Sequence, residues 1–340
     1  RTKLLFIIGY SAIQLIMGCV DKEKPSPPVR YAPGSYLVRL ADSGKTLDIP
    51  LDRFTIPVTN CLDFADDTLA FLRDSSILFI DVKKKMPVKS IPFLNKKNFG
   101  IDKIYNFSIK SPDSIFLVTN NPNYIYLLDQ TGLIKDKFIA KNPENSFYPA
   151  YAGSAGGSKM FFHQKKIYFN IASVVSDEDE LMEVLEPESP TMTLDLTTRS
   201  LAKVPMTIGS KHNWDFGNEP YPSVAFDGTR LVYSFLSNHS VHAFDEGNTI
   251  TADASSDFFQ GFMEVMGNDS RRDFKKYLTK VLKGDEYALI TYDPYRHVYY
   301  RFMYMGFTPT EKDNLKKLAY LRPQFSIIIL DQNLKKIGET

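Results

Sequence analysis

Ser114-Ile115-Phe116-Leu117-Val118 and, a few residues later, Ile125-Tyr126-Leu127-Leu128-Asp129 decide the fold. Each run is short, apolar and rich in β-branched or aromatic residues, which is typical of β-strands rather than helices. The turn signal Ser111-Pro112-Asp113 stands before the first run, and a polar turn follows Asp129. The pair therefore predicts two neighbouring strands, the second of which ends at an aspartate and turns back into a further strand.

The same pattern, an apolar strand that runs into an aspartate and a polar turn, recurs along the chain. An aspartate at that position can accept hydrogen bonds from backbone N–H groups about two residues later and so start the turn. We therefore interpret these aspartates as structural rather than catalytic. The other copies end at Asp42, Asp81, Asp195, Asp245 and Asp331.

A second strand precedes most of these hairpins, as at Thr68–Leu72 and Arg230–Ser234, and a further strand lies upstream of each. Four strands in each unit of about 40 to 65 residues are typical of the blades of a β-propeller. We therefore expect an all-β fold with blades near residues 58–93, 101–140, 146–207, 212–253 and 285–340.

The hairpin Tyr36–Leu51 is left over at the start. Because a propeller closes its ring to remove open sheet edges, we expect this hairpin to lead a sixth blade. The other two strands of that blade would follow Thr340, so the last blade is expected to be incomplete at the C-terminus. Five blades, or six with a looser seam, are the competing interpretation.

An insertion near residues 257–283 interrupts the strand pattern. Phe262, Val265 and Met266, and then Phe274, Tyr277, Leu278 and Val281, recur at helical spacing. We expect this helical insertion to pack on the flank of the propeller, with the binding of a partner as the alternative.

The N-terminus carries the signs of export. A basic start, Arg1 and Lys3, precedes the apolar run Leu4–Met17, whose length of about 14 residues falls short of the roughly 20 that span a bilayer. The end of this run, Leu15–Cys19, resembles a bacterial lipobox, which implies a lipid on Cys19 and a membrane as partner. The alternative is an uncleaved anchor. We expect a signal peptide at residues 1–18, a Pro-rich tether at 19–34 and a single propeller domain at 35–340.

Charge and cysteine content exclude several classes of protein. The chain has 41 Lys and Arg against 40 Asp and Glu, which argues against nucleic acid as a main partner because such proteins favour a basic face. With Cys19 lipidated, Cys61 has no partner, so a disulfide framework is excluded.

Several segments resemble a family of Bacteroidota lipoproteins of unknown function with a six-bladed, TolB-like β-propeller. The most specific is Tyr292-Asp293-Pro294-Tyr295-Arg296, and Phe161–Asn170 and Phe325–Asp331 also fit. The resemblance implies an outer-membrane lipoprotein, either periplasmic or surface-exposed. It implies no particular reaction.

No phosphate-binding loop, dinucleotide fingerprint, zinc-protease motif or serine elbow occurs in the sequence. His239 and His242 are three residues apart, a spacing that places them on opposite faces of a strand, so we expect no metal pair there and no cofactor. His297 is interpreted as a turn residue, and Tyr295, Arg296, Tyr299 and Arg301 as a mainly structural Tyr–Arg cluster.

The connections at residues 141–151, 173–190, 207–222 and 306–324 are the long ones, and we expect them to open on one face of the propeller. Binding residues concentrate in loops on a rigid scaffold, and aromatics with Asn and Asp suit sugar rings or peptides. The alternative is that these aromatics fill space between blades. The candidate binding face consists of Tyr148, Tyr151, His212, Asn213, Trp214, Asp215 and Arg322.

The leading hypothesis is a lipid-anchored cell-envelope module that binds a glycan or a peptide. An envelope hydrolase or lyase with a metal at the propeller axis is the second hypothesis. A structural subunit of an outer-membrane assembly is the third. The residues establish no catalytic group.

Overall fold

The computed structural model describes residues 62–340, apart from 66–67, 74–75, 82, 85, 103, 112, 120–123, 141–146, 150–159, 174–189, 206–221, 246, 263–273, 311–312, 316–317, 319–321 and 323. Five antiparallel sheets account for the described strands, and each follows chain order. Within the described ranges, no helix combines the length and apolar character needed to span a membrane.

The first compact unit contains three sheets, the third of which has an additional short strand. The first sheet comprises β1 (Leu62–Ala65), β2 (Thr68–Arg73), β3 (Ser76–Asp81) and β4 (Met86–Pro92). The second comprises β5 (Ile104–Ser111), β6 (Ser114–Thr119), β7 (Tyr124–Leu128) and β8 (Ile134–Ile139). The third comprises β9 (Phe147–Pro149), β10 (Phe161–His163), β11 (Lys166–Ser173), β12 (Thr191–Asp195) and β13 (Leu201–Lys203).

The second compact unit contains the other two sheets and a helix. The fourth sheet comprises β14 (Ser223–Phe226), β15 (Leu231–Ser234), β16 (Ser240–Asp245) and β17 (Asn248–Asp253). The helix α1 spans Phe274–Lys283. The fifth sheet comprises β18 (Glu286–Asp293), β19 (Val298–Tyr304), β20 (Phe325–Leu330) and β21 (Lys336–Glu339).

The stretch around Ser114 forms the strands that its sequence predicts. Residues of β6 point alternately to two different cores: Ile115 and Leu117 pack with the first sheet, and Phe116 and Val118 pack with the third. Both faces of the strand are therefore buried, which explains why the run is continuously apolar instead of alternating.

The aspartates after the strands start the turns, as predicted. Asp129 Oδ1 accepts hydrogen bonds from the N–H groups of Thr131 and Leu133, at 2.8 and 3.0 Å. Asp195 and Asp331 accept equivalent bonds from residues two to four positions later. These bonds, with the Thr131 hydroxyl contributing most, hold the pKa of the Asp129 carboxyl well below its usual range.

The strand order confirms the predicted propeller blades but not their number. Five four-stranded paths occur in the described part of the chain, near the five positions expected, rather than six. The hairpin predicted to lead a sixth blade, Tyr36–Leu51, lies outside the described residues, as do Cys19 and Cys61.

The helical insertion is shorter than expected over the described residues. Phe262 does not continue a helix but forms an isolated parallel bridge with Asp285. The reason is local packing, since the Phe262 ring lies 4.9 Å from the His239 ring in an aromatic cluster. The helix α1 buries Leu278 and Leu282, and the backbone N–H of Phe307 donates to the Leu282 carbonyl at 2.7 Å.

Candidate functional site

The two ends of each sheet carry different connections. Because the strands form antiparallel meanders, the first and third turns of a sheet lie at one end, and the second turn and the outgoing connection lie at the other. The aspartate turns, such as those after Asp227, Asp293 and Asp331, lie at the first of these ends, which we call the aspartate-turn end. We call the other the long-loop end, because the connections 254–285 and 305–324 leave from it.

A short loop at the long-loop end, Ser256–Gly261, presents an aromatic side chain to solvent. Phe258 is 45 % exposed, whereas its neighbour Ser256 is buried. Asp257 stands beside it with its carboxylate in water. An exposed phenyl ring next to an exposed carboxylate provides an apolar face and hydrogen-bond acceptors side by side.

Two buried carboxylates hold the backbone of this loop. Glu339 accepts a hydrogen bond from the Asp257 N–H at 2.8 Å and another from the Ser256 hydroxyl. Asp285 accepts from the N–H groups of Gln260 and Gly261, at 2.5 and 3.1 Å. Both ends of the loop are thus fixed by charge-assisted hydrogen bonds, which are stronger than neutral ones.

Lys336, in the last strand β21, also supports the Ser256–Gly261 loop. Its ammonium group lies 2.6 Å from Glu339, 2.8 Å from Asp257 and 3.0 Å from the Ser255 carbonyl oxygen. Burial lowers the pKa of Lys336, but the hydrogen bonds to Asp257 and Glu339 outweigh it and leave that pKa above its ordinary value. The group therefore remains a cation at neutral pH.

Beneath the loop, Tyr287 links two elements of the second unit. Its hydroxyl accepts a hydrogen bond from the Ser256 N–H at 3.2 Å and lies 2.7 Å from His239 Nδ1. The Tyr287 hydroxyl and His239 Nδ1 therefore share one hydrogen bond, whose direction depends on the tautomer of His239. Burial, and secondly the charge of Arg301, lowers the pKa of His239 and so favours the neutral imidazole.

Arg301 is the buried cation of this region. Its guanidinium carbon lies 3.5 Å from the centre of the Tyr287 ring. It donates to Ser234 Oγ at 2.9 Å and to carbonyl oxygens of the fourth sheet's connections. Burial lowers the pKa of Arg301 to about 9, so it is still charged at neutral pH. The accepting carbonyl groups belong to Asn238, His239, Ala254 and, at the longer distance of 3.5 Å, Phe235.

The surroundings of the loop combine aromatic rings with carboxylate groups that accept hydrogen bonds. The His239 ring lies 4.5 Å from the ring of Phe259, the residue that follows Phe258 in the chain. In the described part of the chain, no group of three His, Cys, Asp or Glu side chains is placed to hold a metal ion.

The structure places one predicted binding residue away from solvent. Arg322 is 1 % exposed and donates to the Val281 and Leu282 carbonyl oxygens at 2.8 and 3.3 Å, at the C-terminus of α1. It also lies 3.3 Å from Glu286. A cation at that position complements the helix dipole, so Arg322 is a helix cap instead of an exposed ligand contact.

Of the other predicted binding residues, the structure describes only Tyr148. Tyr148 lies in strand β9, opposite Ala172 of β11. The remaining residues of the set lie outside the described residues, namely Tyr151, His212, Asn213, Trp214 and Asp215.

The expected Tyr–Arg cluster does not form as one group. Arg301 stacks on Tyr287, whereas Arg296 pairs with Asp293 at 2.9 Å in the aspartate turn. Tyr299 binds Asp227, and Tyr295 is exposed. Tyr299 and Arg301 lie on the same face of β19 but contact different partners, and Tyr295 and Arg296 belong to the turn that precedes this strand.

Of the predictions for His residues, the turn position of His297 is confirmed, whereas His239 precedes strand β16 instead of lying within it. His242 points to Thr251, whose hydroxyl lies 3.0 Å from its Nδ1, and His239 points to Tyr287. His297 is in a turn with a positive φ of 56°. Sequence reasoning missed the Phe258 loop, because its supports Glu339 and Asp285 are far apart in the chain.

Comparison with known proteins identifies the family. Residues 38–340 match the family described as Domain of unknown function (DUF4221). Since this match covers most of the chain, the chain belongs to that family. None of the curated proteins compared with the chain matches it.

The crystal structure of a member of the DUF4221 family from Bacteroides vulgatus is similar in fold. It matches with a TM-score of 0.67 and 20 % identity, over 82 % of this chain and 80 % of its own. A protein of Bacteroides fragilis, described as a candidate exported protein, matches with a TM-score of 0.43 and 10 % identity, over 81 % and 69 %. Virginiamycin B lyase from Staphylococcus aureus matches with a TM-score of 0.38 and 12 % identity, over 82 % and 68 %.

Proposed function

We propose that this member of the DUF4221 family is a lipid-anchored binding module of the cell envelope that takes a glycan at the long-loop end of its sheets. The Ser256–Gly261 loop carries the proposal. It holds Phe258 in solvent on a backbone fixed by Glu339 and Asp285.

A fixed exposed aromatic ring favours recognition of a sugar ring. Ordering a loop on binding costs free energy, and a loop that is already held avoids that cost. The phenyl face of Phe258 would pack on the apolar face of a sugar, and the Asp257 carboxylate would accept hydrogen bonds from its hydroxyl groups. Phe258 is surface-exposed on a scaffold of β-strands, which is where binding residues concentrate.

The anchor is the second part of the proposal. The lipobox-like stretch Leu15–Cys19 supports acylation of Cys19, and the Pro-rich stretch at 19–34 would act as a leash to the domain. Stable anchoring takes two membrane-binding signals, such as two acyl chains, and each buried CH₂ group contributes about 0.8 kcal/mol. We propose an outer-membrane location, facing either the periplasm or the surface.

A binding screen with paired variants tests the glycan site. The full chain is screened against immobilised bacterial and plant glycans and against a random peptide library. We expect a glycan to bind, and Phe258→Ser to weaken it about tenfold or more, in line with the loss of one aromatic contact. Tyr295→Ser, which removes an exposed aromatic residue at the aspartate-turn end, is the matched control and should bind as the wild type does. Binding of peptides alone, or equal binding by both variants, would contradict the proposal.

Fractionation of cells tests the anchor separately. Cys19→Ala should release the protein from the membrane fraction and abolish incorporation of labelled palmitate. Palmitate incorporation unchanged in this variant would refute acylation of Cys19 without bearing on the Phe258 site.

A further inference from the structure

The helix α1 has its charge on one side. With about 100° between successive residues, Lys275, Lys276, Lys280 and Lys283 fall within an arc of about 140°. The rest of the circumference contains Leu278 and Leu282, which are buried in the fold. Lys275, Lys276 and Lys283 are exposed. The apolar side of the helix is therefore committed to the domain, and its lysine side is turned outward.

The lysines at the start of the helix oppose the helix dipole. The N-terminal end of a helix favours acidic residues, each by about 0.3 to 1 kcal/mol, and the first turn of α1 contains none. Lys275 and Lys276 stand there instead. Lys280 and Lys283, in the last turn, are accounted for by the same dipole. The helix dipole alone therefore does not account for Lys275 and Lys276, and departures from local rules concentrate at functional sites.

The charge of this segment also differs from that of the chain. Residues 271–283 contain six of the 41 Lys and Arg residues but one of the 40 Asp and Glu residues, so the remainder of the chain is net acidic. The net charge of the chain would therefore not attract a polyanion. The local positive charge of α1 would attract one that comes close to this helix.

We propose that the lysine side of α1 contacts a membrane surface of anionic phospholipids. Each Lys ammonium group near such a surface contributes about 1 kcal/mol to the binding free energy. The surface is exposed, cationic and free of acidic residues within the helix, which matches the charge of phosphate headgroups. The choice of a membrane over another polyanion rests on the proposed lipid anchor at Cys19, which would keep the domain beside a bilayer.

Vesicle flotation measures this contact independently of acylation. The full chain carrying Cys19→Ser is mixed with vesicles of phosphatidylcholine alone, or of phosphatidylcholine with phosphatidylglycerol at about 30 %. Any binding by the apolar N-terminal run is common to both, so the ratio of the two affinities isolates the charge effect. We expect a ratio well above one at low salt that falls as NaCl is raised.

A charge-reversal variant and a matched control test the residues. Lys275→Glu/Lys276→Glu/Lys283→Glu should lower the ratio about a hundredfold, because three lysines are lost at about 1 kcal/mol each. Lys89→Glu/Lys97→Glu/Lys110→Glu changes the same net charge at exposed lysines of the first unit and should leave the ratio near the wild-type value. Unfolding temperatures confirm that both variants fold.

Three outcomes would overturn the proposal. These are a wild-type ratio of one, equal losses in the two triple variants, and capture on heparin without anionic-vesicle binding, which would identify a polysaccharide surface. Failure here leaves the Phe258 site and the palmitate assay of Cys19 untouched, since neither depends on α1.

Discussion

The Tyr299 hydroxyl donates a 2.5 Å hydrogen bond to Asp227 Oδ2, which ties strand β19 of the fifth sheet to the first turn of the fourth. Arg230 donates to the same oxygen at 3.0 Å and to the Gln332 carbonyl at 2.7 Å. Burial would raise the pKa of Asp227, but the bonds from Tyr299 and its other partners outweigh that effect and lower it to about 2. The aspartate turn thus joins neighbouring sheets as well as closing a hairpin.

Removal of the Tyr299 hydroxyl should destabilise the protein. Tyr299→Phe leaves the partly buried Asp227 carboxylate with one donor fewer, at a cost of about 1 to 3 kcal/mol in the free energy of unfolding. Urea denaturation measures the change. Tyr295→Phe, at an exposed ring, should alter the same free energy by less than about 0.5 kcal/mol. Equal effects of the two changes would show that the Tyr299 bond contributes nothing specific.

Arg301 should be among the most sensitive positions of the second unit. Arg301→Met removes the donors of several buried carbonyl groups and the contact with the Tyr287 ring, so we expect a loss of about 3 to 5 kcal/mol. Arg296→Met removes a guanidinium that is partly in water and should cost about 1 kcal/mol or less. Thermal and urea unfolding of the two variants compare them, and a smaller loss at Arg301 would contradict the assigned network.

Stability should fall as the pH is lowered from 7.5 to 5.5, in part through His239. Its pKa in the folded protein lies below the usual 6.5, so the unfolded chain binds a proton first and folding is opposed as pH drops below about 6.5. His239→Gln should reduce the slope of the unfolding free energy against pH in this window. The measurement is urea unfolding at several pH values, and an unchanged slope in the variant would exclude His239 as a contributor.

Alanine substitutions at two glycines distinguish the cost of backbone strain from the cost of a steric clash. Gly132 has φ of 94°, and a Cβ there would lie 1.8 Å from the Pro92 carbonyl oxygen, whereas Gly228 has φ of 104° and open space around it. Gly228→Ala should cost about 1 kcal/mol, from strain alone. Gly132→Ala should cost at least about 2 kcal/mol more, because the chain after β4 must move. Comparable unfolding temperatures for the two variants would disprove this contact.

Local sequence was sufficient for the strands and their turns. The Asp129 and Asp195 turns require only a side chain and backbone groups a few residues away, so the pattern predicts them directly. The apolar run of β6 likewise indicated a strand, and the structure adds that both of its faces are buried. The blade count was a different matter, because it depended on a ring-closure argument and not on a local pattern.

Contacts between residues far apart in the chain escaped prediction. Arg322 looked like a loop residue available to a ligand, but it caps α1 about 40 positions earlier. Asn95 pairs with both the N–H and the carbonyl group of Ile134, at 2.8 and 3.2 Å, which no local spacing indicates. Phe258 was missed as a candidate binding residue for the same reason, since Glu339, which supports its loop, lies in the last strand.

The sequence by itself determined the strands, the aspartate turns and the division into blades, because each depends on side-chain periodicity and bonds within a few residues. Only the tertiary structure decided which polar side chains are buried and which meet. Arg301, Tyr287 and His239 are separated along the chain, and desolvation shifts their pKa values only where packing removes water around them. Burial is a property of the assembled sheets, so the function of a charged or aromatic residue follows from its neighbours in space.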